Sequence, residues 1–98
     1  MTSATIPTIN VRVTAVLQRL TAGQKTVEAS GETVGALIED LEGRFPGFRQ
    51  QLYNDNGELH RFVNIYLNDE DIRYMGGINT PLKQGDVLDI LPALAGGS

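Results

Sequence analysis

The sequence predicts an α+β domain in which a small mixed sheet packs on one main helix. Three observations lead there. Apolar and polar residues alternate over residues 9–16, and again over residues 61–68, with the period of a half-buried strand. Between these segments Val34, Leu37, Ile38, Leu41 and Phe45 recur at helical spacing and form one apolar stripe. A single amphipathic helix covers only one face of a sheet, so the strands on either side of it in sequence share that sheet.

The elements follow in chain order. In "INVRVTAV" Ile9, Val11, Val13 and Ala15 face inward, while Asn10, Arg12 and Thr14 face outward. Gly23 marks a turn, and "KTVEA" (residues 25–29) returns as the hairpin partner. Thr33 is the predicted N-cap of the helix. Glu39, Asp40 and Glu42 are expected to face water, and Pro46 and Gly47 to end the helix. Gly35 and Gly43 each weaken it by about 1 kcal/mol relative to alanine, so packing must hold it. Phe48 and Leu52 lie one turn apart and predict a short second helical piece. After the loop "NDNGE", the next strand turns Val63, Ile65 and Leu67 inward and Phe62, Asn64 and Tyr66 outward. "NDED" reads as a solvated turn, "IRY" as a short strand, Gly76-Gly77 as a turn, and "TPL" as a single turn. In the last strand, "VLDILPAL", Leu88 and Ile90 point inward and Val87, Asp89 and Leu91 outward, with Pro92 ending regular pairing. One domain over residues 1–98 is expected, with a flexible tail from about residue 92. An N-terminal hairpin followed by one long helix and further strands predicts a β-grasp (ubiquitin-like) fold.

Composition removes several classes of function. The 98 residues include no cysteine, which excludes disulfides, thiolate metal sites and cysteine nucleophiles. One histidine, His60, leaves little material for a metal site or a catalytic triad and reads as a surface or capping residue. The net charge of −4, with only Lys25 and Lys83 as lysines and six scattered arginines, argues against nucleic acid as a partner. Both lysines read as solvated. No apolar run approaches the roughly 18 residues of a membrane span, and the first ten residues lack the pattern of a signal peptide, so a cytoplasmic location is expected. "NDED" lacks the length and distal glutamate of a calcium loop, and "GETVG" lacks the ending of a phosphate loop. Asn79-Thr80-Pro81 is not a glycosylation acceptor.

The chemistry-bearing motif is the ending, "LPALAGGS". Glycine has no Cβ and permits close backbone approach, and Ala93 and Ala95 keep the same stretch thin. From Leu91 to Gly97 the chain spans at most about 20 Å. That reach brings a terminal carboxylate into another protein's pocket while the globular body stays outside. A frayed or linker-like end has the same composition.

Three stretches together resemble the MoaD/ThiS family of ubiquitin-like sulfur carriers: "ETVGALIEDLEGRFPG", "VNIYLNDEDIRYMGG" and "LKQGDVLDILPALAGG". They span residues 33–97. The string "ELHRFVNIYLNDEDIR" is most similar to the subgroup that serves cysteine biosynthesis. The resemblance implies a carrier, not an enzyme. A ubiquitin-activating-type adenylyltransferase, using ATP and magnesium, would join AMP to the carboxylate of Gly97, beside Gly96. A sulfide equivalent would then displace AMP and leave a thiocarboxylate for a sulfur-accepting synthase. No cofactor is expected on the chain itself.

Ser98 departs from the family's usual ending, because it turns the Gly97 carboxylate into an amide that cannot be adenylated. It reads as a precursor residue awaiting removal; a residue added to the natural chain, or a member that is not a carrier, are the other readings. In the cysteine subgroup the thiocarboxylate acylates an amino acid, and a zinc-dependent C-terminal peptidase releases cysteine from the extended carrier. Gly-Gly-Ser differs from Gly-Gly-Cys by oxygen in place of sulfur, so the same peptidase is expected to remove Ser98. Phe62, Tyr66, Val87 and Leu91 are the expected partner-binding residues on the sheet face opposite the helix. Other readings are the molybdopterin synthase small subunit, a thiamine-type carrier, a ubiquitin-like modifier joined to lysines, and a purely structural binding module.

Overall fold

Alternation along the first strand sets the architecture. In β1 (Thr8–Val13), Ile9, Val11 and Val13 are buried, while Asn10 and Arg12 are exposed. The inward residues need cover, and the chain supplies it with a helix layer on that one face. The computed structural model describes residues 6–61 and 63–92. The further elements are α1 (Ala15–Gln18), β2 (Thr26–Ser30), α2 (Val34–Arg44), α3 (Phe48–Leu52), β3 (Val63–Leu67), β4 (Glu70–Asp71) and β5 (Val87–Pro92).

The five strands form one sheet in the order β2-β1-β5-β3-β4. β1 pairs antiparallel with β2 and parallel with β5, and β3 pairs antiparallel with β5 and β4. The first and last strands therefore lie side by side at the centre, which is the β-grasp arrangement. The core between sheet and helices holds Ile9, Val11, Leu37, Ile38, Leu41, Phe48, Ile65, Leu88 and Ile90. Full burial of such a side chain is worth about 1.5–3 kcal/mol.

α2 forms where the stripe predicts it. The Thr33 hydroxyl accepts a hydrogen bond from the Ala36 N–H at 3.2 Å, capping the first turn. Val34, Leu37, Ile38 and Leu41 are fully buried, and Phe45 packs against the core edge-on to Phe48. Gly31 sits where the chain passes beneath this helix: a Cβ there would collide with the backbone of Ala36 and Leu37. Gly35 has a similar reason, since the turn at Ile78 presses against it, whereas Gly43 faces open space.

Four expectations change. Ala15 is exposed, because the strand ends at Val13, opposite Ile90 in β5; the chain then turns into α1 to bury Leu17. One methyl gains little from burial, and Leu17 gains more. "IRY" is a 3-10 turn rather than a strand: the Asp71 carboxylate accepts from the Arg73 N–H at 2.9 Å and bends the chain out of the ladder. "TPL" is extended, pairing with the stretch before α2 through Val34 N–H to Thr80 C=O and Leu82 N–H to Glu32 C=O; the turn lies one step earlier, at Gly77–Asn79. Of the three acids on α2, only Glu39 is exposed. Asp40 accepts from the Ser30 N–H and from Arg44, and Glu42 accepts from the N–H groups of Gly47 and Arg49, tying α2 to its neighbours.

Alanine should act in opposite directions at Gly31 and Gly43. Gly31→Ala should lower stability by about 1–3 kcal/mol through overpacking. Gly43→Ala should raise it by about 1 kcal/mol through helix propensity. Urea midpoints at constant m-value measure both.

Candidate functional site

β5 is the central strand and leads directly into the glycine-bearing tail. Its start is held by a compact polar clamp. Asn68 and Asp69 both adopt left-handed conformations (φ 50° and 72°) and close the β3–β4 hairpin. The Asn68 side chain accepts from the Val87 N–H and donates to the Asp86 carboxylate, both at 3.0 Å, while its own N–H donates to the Val87 C=O at 2.9 Å. Asp86 in turn accepts from the Lys83 N–H at 2.8 Å. Only the first half of "NDED" is thus a turn, since Glu70–Asp71 form β4, and its first residue fixes where the last strand begins.

Along β5 the outward residues are Val87, Asp89 and Leu91. Val87 lies opposite Asn10, Asp89 lies between Arg12 and Tyr66, and Leu91 lies opposite Asn64. At the centre, Arg12 makes two parallel hydrogen bonds to Asp89, at 2.6 and 2.7 Å, across the parallel β1–β5 pair. The hydrogen bonds first, and the Asp89 charge second, hold the guanidinium above its ordinary pKa. Arg73 bonds Asp71 at 3.3 Å and also reaches the Asn64 side chain, so it lies along the β3 edge of the same face.

The structure brings Tyr66, Val87 and Leu91 onto one face, opposite the helices. Leu91 is 38% exposed, and Tyr66 and Val87 are half-buried. Phe62, Gly96, Gly97 and Ser98 lie outside the described residues. Pro92 pairs with Val63 and is the last residue of β5. Lys25 and Lys83 are exposed. His60 is half-buried; its N–H donates to the Leu52 C=O and its C=O accepts from the Val63 N–H. Sequence reading did not single out Arg12, Asp89 or Arg73. Alternation turns Arg12 and Asp89 outward, but their union depends on a pairing across 77 residues.

The helix layer carries an open pocket of about 790 Å³, lined by Glu39, Glu42, Arg49, Tyr53 and Asp55 among others. Its described lining comes from α2, α3, the loop after α3 and the turn at Ile78. Glu42 is already occupied there with the α2–α3 corner, and Arg49 with Glu39. Burial pushes the Tyr53 phenol above its ordinary value, with Arg49 pulling weakly the other way. Among the described residues, no group of three or more His, Asp or Glu side chains could hold a metal ion. Among them, too, no helix is long and apolar enough to cross a membrane.

The ThiS family profile matches residues 11–97. The chain belongs to the ThiS family. It is 50% identical over 91 residues to the sulfur carrier protein CysO of Mycobacterium tuberculosis, covering 91% of this chain and 98% of the relative. A chain in the crystal structure of the Amycolatopsis orientalis BexX/CysO complex is 46% identical, with a TM-score of 0.83 over 91% of this chain and 99% of that one. The small archaeal modifier protein 3 of Haloferax volcanii is 32% identical over 82 residues, covering 81% of this chain and 88% of the relative.

Two outcomes follow. Asn68→Ala should cost about 1–2 kcal/mol, since it leaves the Val87 N–H without its side-chain partner and puts an ordinary side chain at positive φ; thermal melts measure it. Stability should be full below pH about 10 and fall as pH rises past it, because the unfolded chain loses the Tyr53 proton first. Tyr53→Phe should flatten that decline in denaturant titrations at alkaline pH.

Proposed function

We propose that this chain is a sulfur carrier for cysteine biosynthesis and is a substrate, not a catalyst. The observation that carries the reading is the reach of the family match: it runs through residue 97 and leaves out Ser98. The identity to CysO carriers over nine-tenths of the chain supports the cysteine assignment.

The chemistry requires a free Gly97 carboxylate. A carboxylate is a poor electrophile, because its charge is delocalised and repels nucleophiles. An adenylyltransferase joins it to AMP from ATP, with magnesium, and releases pyrophosphate. A sulfide equivalent attacks the acyl carbon, AMP departs, and the thiocarboxylate remains. A sulfur-accepting synthase then takes the sulfur. This chain contributes a body to be grasped and a thin arm to be inserted. The grasped surface is the outer sheet face around Tyr66, Val87 and Leu91, joined by Phe62. Ser98 blocks the sequence until a zinc-dependent peptidase hydrolyses the Gly97–Ser98 amide.

A second reading is favoured by the likeness to the small archaeal modifier proteins: the same activated Gly97 acylates lysines on other proteins. Conjugate ladders in cell extract, absent after deletion of Gly96 and Gly97, would mark it.

Intact mass tests the first reading in two steps. Incubation with the peptidase and zinc should remove the mass of one serine residue. Addition of the adenylyltransferase, ATP, magnesium and a sulfur donor should then raise the mass by the difference between sulfur and oxygen. Persistence of the full-length mass through the first step, or of the carboxylate mass through the second, counts against it.

A further inference from the structure

The outer sheet face carries acids at the start of β5 and exposed arginines from its middle onward. Around the start of β5 stand Asp86, Asp69 in the β3–β4 turn, and Glu28, which pairs with Asn10 in the row of Val87. From its middle toward its far end, β5 is flanked by two arginines. Arg12 stands opposite Asp89, and Arg73 reaches Asn64, the residue opposite Leu91. Arg12 and Arg73 thus put two exposed cations on this face beside β5, in a chain of net charge −4.

The two arginines on the face also stand proud of their carboxylates. The Arg12 side chain is 55% exposed against 17% for Asp89, and Arg73 is 51% exposed against 18% for Asp71. A docking protein therefore meets guanidinium groups, with the acids sunk beneath them and Leu91 between them.

Resting on the reading that this face docks on the activating enzyme, we propose that Arg12 and Arg73 seat against a rim of Asp and Glu side chains at the mouth of that enzyme's tail channel. Reach decides against the nucleotide as their target. The stretch from Leu91 to Gly97 spans at most about 20 Å, so the arginines stay at the entrance while Gly97 is at the ATP. An apolar contact at Leu91, flanked by charged contacts, has the build of an interface core with a polar rim. Rim charges act mainly on encounter rate and on salt dependence.

The test is binding of the full chain to the activating adenylyltransferase, at low and at high salt. Two variants remove the exposed charge: Arg73→Gln, and the double variant Arg12→Gln with Asp89→Asn, which leaves no unpaired carboxylate in the face. Each should bind about three- to tenfold more weakly at low salt. The difference from the parent chain should vanish at high salt. Arg12→Lys should retain most of the affinity, and thermal melts confirm that each variant is folded. Leu91→Asp is the reference for the face itself and should weaken binding at both salts. Charge variants that bind like the parent at low salt, with Leu91→Asp impaired, overturn the acidic rim and leave the docking face standing. Normal binding by Leu91→Asp as well overturns both. A loss confined to the sulfur-accepting synthase overturns the assignment to the activating enzyme.

Discussion

The parallel pairing of β1 with β5 is the constraint on which the rest of the molecule depends. It joins the first strand of the chain to the last at the middle of the sheet. A strand at a sheet edge has one ladder to hold it; β5 has two, with β1 on one side and β3 on the other. The residues that follow are therefore rooted in a strand held on both sides. A carrier that presents its C-terminus as an arm needs that restraint, since an arm on a loose shoulder would lose aim and add ordering cost on docking.

The same pairing builds the face around the tail. Arg12 and Asp89 meet only because β1 and β5 lie in register, and Tyr66 completes the row from the other side. Both ionic groups are solvent-accessible in part, so the pair adds little to stability. Its larger consequence is orientation, since two parallel hydrogen bonds hold a planar guanidinium in one attitude at the middle of β5. The Asn68 clamp does comparable work at the start of β5, where a side chain borrowed from a turn determines which residue starts the strand.

Much of the fold was legible because it depends on local periodicity. The inward sets Ile9-Val11-Val13, Val63-Ile65-Leu67 and Leu88-Ile90, the helix stripe and the Thr33 cap can all be read from neighbours a few residues apart, and all appear in the structure. Reading failed where a polar side chain overrides the pattern. Asp71 bends "IRY" into a turn, and Asp40 and Glu42 leave the solvent to accept backbone N–H groups. It failed also at Ala15, where alternation continues in the sequence after the ladder has ended. A period of two describes which way residues would point in a strand, and carries no information on where the strand loses its partner.

What the sequence by itself determined is the residue types available for chemistry and the class of the fold. The lack of cysteine, the single histidine, the glycine pair and the serine that follows it are covalent facts, independent of packing. The tertiary structure alone decided which charges share a face, and how exposed each is. Arg12 and Asp89 are 77 residues apart in the chain, and nothing local to either foretells the other. Only closure of the sheet brings them together, sinks the acids and raises the arginines on the outer face.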